Sequence, residues 1–384
     1  MTSVELYDRN DMERMRWPDT EDGQYACRYW LPLMRGGTEA YIHNVRTRCM
    51  LAKVNDRVVV PLTVNDGEYN NSYVCSPYTH YVTYTLQELA LLKSPGLEVA
   101  LRAVLRSMGL WLRMGRINQV VHLNNWLVST NLYPALTAEE VSLLTARLRE
   151  AFPAHALVFR SVNPGTDPVL YEALLREGYK MIGSRQVYEL DTVHPESLPS
   201  KARWLLKRDG KLLEQSGYEV IGSEDLGPDD VPRMAELYNA LYLDKYSRCN
   251  PQFTEHYFAT TLREGTLRYH VLRKQGKIDA VLGYFTRNGV MTTPIFGYDT
   301  SLPMETGLYR MLSVVLVREA ERQGLLLNES SGAAGFKRCR GAVPRIEYTV
   351  VYDKHLPATR RMRWTVLADI THRWGVPIMQ KRKL

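Results

Sequence analysis

The stretch Asn328-Glu-Ser-Ser-Gly-Ala-Ala-Gly-Phe-Lys-Arg-Cys-Arg-Gly341 gathers residue types that hold anions. Gly332 and Gly335 leave backbone N–H groups unobstructed, Ser330 and Ser331 add hydroxyls, and Lys337, Arg338 and Arg340 follow within a turn or so. Arginine stays protonated and presents a planar fork, so these cations suit phosphate or carboxylate binding rather than proton abstraction. Neither serine sits in a Gly-x-Ser-x-Gly elbow, which argues against a serine nucleophile. Positive neighbours would lower the thiol pKa of Cys339, but no histidine follows closely enough to serve as its base. Close packing through a small-residue turn, with solvated surface cations, is the alternative reading of the same stretch.

Strands must hold this loop in place. Leu325 to Leu327 supply one before it, and Ile346 to Tyr352 alternate into another after it. Upstream, turns at Gln275-Gly276 and Asn288-Gly289 separate three strands at Leu267 to Arg273, Ile278 to Thr286 and Val290 to Tyr298, and a long helix is predicted from Met304 to Gln323. The first half has a similar order. Strands are predicted over Cys49 to Val60 and Tyr73 to Tyr84, a helix over Gly96 to Arg113, and a strand at Asn118 to Leu123. A capping box at Thr137-Ala-Glu-Glu140 then opens a helix, and strands at His155 to Ser161 and Met181 to Leu190 flank one starting at Asp167. Asp191 to Pro199, with its two X-Pro pairs, reads as a linker. The fold class is α+β in two similar halves, residues 1–192 and 198–384, each a mixed and mostly antiparallel sheet flanked by helices.

The 384 residues exceed the size of one ordinary core, and 45% hydrophobic with 24% charged residues is a globular profile. No run approaches the roughly 20 apolar residues of a membrane span, and no apolar leader opens the chain, so a cytoplasmic location is expected. Five dispersed cysteines without CxxC or histidine spacing support neither a disulfide framework nor a metal site. Of the net charge of +7, the segment from Phe336 to Leu384 accounts for more than the whole: twelve Lys and Arg against three acids, ending at Lys381-Arg-Lys383. A second cationic run, Lys201, Arg203, Lys207, Arg208 and Lys211, lies on the predicted helix Ser200 to Gln215 and is suited to RNA or an acidic carrier, or is a solvated face.

This order, with Ile295-Phe-Gly-Tyr-Asp299, Ser301 to Thr306 and Gly307-Leu-Tyr-Arg310 opening a helix, resembles the GCN5-related N-acetyltransferase (GNAT) fold. Val158-Phe-Arg-Ser-Val-Asn163 with Leu170 to Tyr179 looks like the closing unit of a second copy, so the chain resembles the tandem GNAT proteins of the Fem-like and BioF2-like acyltransferase group. The resemblance implies transfer of an activated acyl group to an amine acceptor. The donor would be acyl-CoA, an acyl carrier protein or aminoacyl-tRNA, with no tightly bound cofactor. Gly307, Tyr309, Arg310, Ser330, Ser331, Lys337, Arg338 and Arg340 would bind the donor. Asp299 and Glu347 would accept the amine proton, with Tyr298, Tyr348 or Tyr352 protonating the leaving group. Leu302-Pro-Met-Glu-Thr-Gly-Leu-Tyr departs from the family's glycine-rich pyrophosphate loop by keeping only Gly307 and adding Glu305, which favours a carrier-bound or tRNA-bound donor. A non-catalytic tandem binding module is the alternative from another class. The first half, lacking a phosphate loop, is expected to shape the acceptor pocket with Tyr69 to Tyr84.

Overall fold

A computed structural model describes residues 3–89 and 94–382, so Lys383 lies outside the described residues. Its strands are β1 (Val4–Tyr7), β2 (Arg48–Val54), β3 (Val58–Asn65), β4 (Val120–Leu123), β5 (Ala156–Val162), β6 (Lys180–Asp191), β7 (Glu219–Gly222), β8 (Arg268–Lys274), β9 (Lys277–Arg287), β10 (Val290–Tyr298), β11 (Leu326–Asn328) and β12 (Val343–Tyr352). The helices of the first half are α1 (Glu21–Gly36), α2 (Thr38–Tyr41), α3 (Thr85–Glu88), α4 (Pro95–Met114), α5 (Ala138–Ala151) and α6 (Pro168–Glu177). Those of the second are α7 (Ser200–Gln215), α8 (Val231–Asn239), α9 (Glu255–Arg263), α10 (Leu308–Gln323), α11 (Ala334–Cys339), α12 (Ala358–Ile370) and α13 (Val376–Arg382).

Among the described residues twelve strands form one sheet, in the order β1-β2-β3-β4-β5-β12-β6-β11-β10-β9-β8-β7. From β1 to β4 neighbours are antiparallel and β4 runs parallel to β5; β7 to β10 and then β10 with β11 repeat the same pattern. The sixth strand of each repeat is exchanged. β6 pairs with β11 of the second half, β12 pairs with β5 of the first, and the two pair antiparallel with each other at the centre. The fold is therefore α+β, two similar mixed units joined through exchanged strands, the order expected from the resemblance to tandem GNAT proteins.

Local sequence explains most elements. The Thr137 hydroxyl accepts from the Glu140 N–H at 3.2 Å while the Glu140 carboxylate takes the Thr137 N–H at 3.0 Å, closing the predicted capping box at the start of α5. Asn288 and Gly289, both at positive φ, turn β9 into β10. The Tyr73 to Tyr84 strand is corrected: residues 79–84 form a π-type turn. Ser76 Oγ accepts the Thr79 N–H and is itself bonded by Asn118, a local polar network that outcompetes a ladder. The helix predicted from Met304 is broken at Gly307, whose left-handed φ of 74° separates a 3-10 turn from α10.

One apolar core spans both halves. Trp30, Trp126, Tyr257, Phe258 and Phe285 belong to it, and the Tyr29 and Tyr257 hydroxyls meet at 3.1 Å across it. The repeats differ most between their third and fourth strands. A two-residue turn joins β9 to β10, whereas residues 66–119, including α3 and α4, separate β3 from β4.

Candidate active site

β10 and β11 run side by side only from Val290 to Thr292 against Leu326 to Asn328. β10 then bulges before Ile295 and follows β9 as far as Tyr298, while β11 stops, so the two strands part and open a cleft. α10 starts at the mouth of this cleft. A Cβ on Gly307 would sit 2.6 Å from Leu212 Cδ2, so glycine allows both the backbone turn and the approach to α7. In the first turn of α10, the Tyr309 ring packs on Phe336 at 4.7 Å, Phe296 at 5.3 Å and Tyr298 at 6.1 Å between centroids. Its phenol is pushed up by burial and then by Glu329, Tyr242, Tyr246 and Tyr298, all close enough to act on it.

Glu329 follows β11 directly. Its N–H donates to the Tyr188 carbonyl at 2.9 Å, and its Oε2 is buried without a hydrogen-bond partner among the described residues. Burial raises its carboxyl above the usual range, against the pull of Lys337 and Arg340. A basic carboxyl with a vacant oxygen in a cleft is a candidate for proton transfer. It was the single acid within Asn328 to Gly341, which is the signal that could have identified it in the sequence.

The predicted donor cations have partners inside the protein. Lys337 is buried and donates to the carbonyls of Glu329, Ser331 and Ser330 at 2.6, 2.9 and 3.2 Å, using all three ammonium hydrogens. Burial lowers it to about 8, with Glu329 opposing and Arg185 adding to the shift. Arg310 and Arg340 flank the buried Asp209 of α7, with Arg310 Nη2 at 2.7 Å from Oδ1 and Arg340 Nη2 at 2.5 Å from Oδ2. Arg340 also lies 3.4 Å from the centre of the Phe336 ring. These three residues hold α7, α10, α11 and the loop together. Arg338, whose Nε reaches the Ala334 carbonyl at 3.3 Å, has like Lys337 no ion pair among the described residues, and it is the cation of the group that is not tied to Asp209 or to the loop carbonyls. Ser330 takes φ 59° and its carbonyl accepts from the Tyr188 N–H, while Ser331 is exposed.

Asp299 lies at the end of β10 with Oδ2 at 2.6 Å from Arg233 and 3.1 Å from Lys277. Burial pulls its pKa up, but hydrogen bonds from Ser301, Lys277 and Arg233 win and hold it well below the carboxylate range, a poor match for a base. Glu347, in β12, is buried and accepts from Arg185 Nε at 2.7 Å across the central β6–β12 pair, and its Oε1 has no partner among the described residues. Arg185 also bonds the Ser129 carbonyl at 2.8 Å and the Thr130 hydroxyl at 2.6 Å, tying Glu347 of the second half to the loop after β4 of the first. Asp167, beside α6, is raised to about 7 by burial first and further by Glu347 and Glu189. Tyr348 packs against Tyr171 and His372, each at 6.0 Å, away from the Tyr309 group. The structure thus gathers Tyr309, Ser330, Lys337 and Arg340 around the cleft and places Glu347 across β6. Asp299, next to Tyr298 at the end of β10, is committed to Arg233 and Lys277, and Tyr348 packs against Tyr171 and His372. Asp209, Arg185 and Asp167 were not assigned from sequence, because their partners lie far along the chain.

Outside, α7 buries Ala202, Leu205, Asp209 and Leu213 and turns Lys201, Arg203, Lys207, Arg208 and Lys211 to solvent. Among the described residues none of these five forms an ion pair. Trp204 is 56% exposed in their midst, with the Arg208 guanidinium 4.9 Å from its ring centre.

The parted strands, the helix opening at their mouth and the repeated topology have the form of a GNAT-like fold in tandem. Residues 200–338 match the family model described as an acetyltransferase (GNAT) domain. Among solved structures, the chain is similar to FemX (9% identity over 59% of this chain and 79% of that one, TM-score 0.45). It is also similar to L-PGS from Bacillus licheniformis (16% identity, 59% and 76%, TM-score 0.41). A tandem GNAT protein from the clavulanic acid biosynthesis pathway resembles it over 93% of this chain and all of its own (11% identity, TM-score 0.39). No curated protein matches.

Proposed function

We propose that the chain transfers an activated acyl group to an amine in the β10–β11 cleft, from a donor carried on an anionic macromolecule that docks on α7. One observation carries this reading. Beside the cleft Arg310 and Arg340 are paired with Asp209 and Lys337 is spent on backbone carbonyls, which leaves Arg338, whereas five cations without an ion pair among the described residues line the outer face of α7. A small pyrophosphate donor would meet few available charges, while a long polyanion would meet five and an aromatic platform. Charged tRNA is the donor that fits best; an acyl carrier protein or acyl-CoA is the second reading.

The amine nitrogen attacks the acyl carbon, and Glu329 takes the proton it loses. Backbone N–H groups at the start of α10 face the developing oxyanion. The bond to the carrier oxygen or sulfur then breaks, and the Tyr309 hydroxyl protonates the leaving atom. Glu347 and Arg185, one from each half, bind and orient the acceptor from the central β6–β12 pair.

The test is a transfer assay offering labelled aminoacyl-tRNA, acyl carrier protein and acyl-CoA with a panel of amines. Amide formation from aminoacyl-tRNA is expected, lost on ribonuclease treatment and falling steeply with salt. Glu329→Gln is expected to lower kcat by about 10²-fold or more with little change in KM. Reversing Lys201, Lys207 and Lys211 to Glu is expected to raise KM for tRNA and leave melting unchanged. Transfer from acyl-CoA alone, indifferent to that reversal, would replace the macromolecular donor with the small one, and a wild-type rate in Glu329→Gln would remove Glu329 from the mechanism.

A further inference from the structure

The insertion between β3 and β4 has no counterpart in the second repeat, so the fold itself does not require it. Its main helix, α4, packs by one side, burying Gly109 and Leu112 and half-burying Leu101, Leu105, Met108 and Trp111. At 100° per residue, Val99, Ala103, Leu110 and Met114 fall on one side, opposite Leu112. Val99, Leu110 and Met114 are 69%, 64% and 78% exposed. Arg102, Arg106 and Arg113 form a narrow stripe along one edge of that apolar face. Arg102 pairs with Glu98 at 2.6 Å; among the described residues Arg106 and Arg113 form no ion pair. Arg363 of α12 reaches the Trp111 carbonyl at 3.3 Å and Arg360 the Gly115 carbonyl at 3.2 Å, so the basic C-terminal segment adds its charge at the same end.

An apolar helix face that is exposed among the described residues and carries an arginine edge has the chemistry of an interfacial anchor. A second copy of the chain would bring two arginine edges together, whereas an anionic surface neutralises them. No helix among the described residues is long and apolar enough to cross a membrane, so contact would be in the plane of the surface. We infer that α4 is a docking surface for an anionic lipid bilayer, lying with Val99, Leu110 and Met114 in the headgroup region and Arg106 against lipid phosphate.

The experiment is co-sedimentation of the full chain with vesicles of phosphatidylcholine containing about one quarter phosphatidylglycerol, and with phosphatidylcholine alone. The wild type is expected to pellet with the anionic vesicles and to be released by salt. The triple variant Val99→Gln, Leu110→Gln, Met114→Gln is expected to partition about tenfold less or lower, and Arg106→Glu about fivefold less or lower, both with unchanged melting because the side chains are exposed. Wild type remaining in solution, or a triple variant that pellets equally, overturns the inference. So does a concentration-dependent dimer without vesicles that the triple variant abolishes, which would give the face to a second copy. The assay uses no acyl donor or amine, so its outcome is independent of the acyl-transfer reading.

Discussion

Lys337 illustrates how a residue's type and its duty come apart. Its position after a small-residue loop marks an anion binder, yet three backbone carbonyls take its three hydrogens and turn it into a clamp on the loop. Arg310 and Arg340 are likewise committed to an aspartate 101 and 131 positions away, a distance at which no local pattern announces a partner. The cation cluster was legible; its neutralisation was not. Asp167 offers a residue-scale test of a different kind. Its carboxyl titrates near 3.8 ordinarily and about 7 in the fold, where burial dominates and Glu347 and Glu189 add repulsion. Between those values the folded protein keeps a proton that the unfolded chain has released, so this group's contribution to stability falls as pH rises through the window and is fully lost above it. Asp167→Asn removes that loss. The variant is expected to melt about 2 °C or more above wild type near pH 8 and at the same temperature near pH 4. A difference that does not change with pH would mean that the carboxyl does not hold its proton there.

Elements whose information is local were readable: the helix from Ser200 to Gln215, the capping box at Thr137 and the β9–β10 turn all lie where periodicity and turn chemistry put them. The segment Tyr73 to Tyr84 misled because tyrosine, valine and threonine favour strands, while Asn118, 42 positions beyond Ser76, fixes a turn instead. Element packing also sets the shape of the cleft. Gly297, one residue before the end of β10, lies against α8 so closely that a Cβ would meet the Leu237 carbonyl carbon and oxygen at 2.6 Å and the Tyr238 nitrogen at 2.7 Å. Backbone cannot rotate away as a side chain can. Gly297→Ala is therefore expected to push α8 from the sheet and lower stability by about 1–3 kcal/mol, read from urea unfolding. It is also expected to move Tyr298, next in the chain, against the Tyr309 ring and so lower kcat. Wild-type stability in this variant would show that α8 slides on β10 without cost.

Across the whole molecule, the exchange of β6 and β12 makes each half depend on the other. The repeated order was visible in the sequence, but strand exchange leaves no local mark, because a strand's alternation does not say which neighbour it will take. Residues 1–192 alone would keep β6 but lack β12, the strand that covers β5, and residues 193–384 alone would lack β6, which covers β11. Each would also expose part of the core shared by Trp30, Trp126, Tyr257 and Phe285, and would break the Arg287 ion pair to Asp22, at 2.8 Å. An open central edge beside exposed aromatic surface favours aggregation. Each half expressed alone is accordingly expected to be insoluble or to lack a cooperative melt, whereas the two halves co-expressed should co-elute in size-exclusion chromatography as one particle of the full chain's size. The intact chain should unfold in a single transition by near-ultraviolet circular dichroism and by calorimetry alike. A soluble second half, melting cooperatively without the first, would show instead that β11 needs no cover from β6, and that the acyl-transfer cleft is the property of one repeat rather than of the exchanged pair.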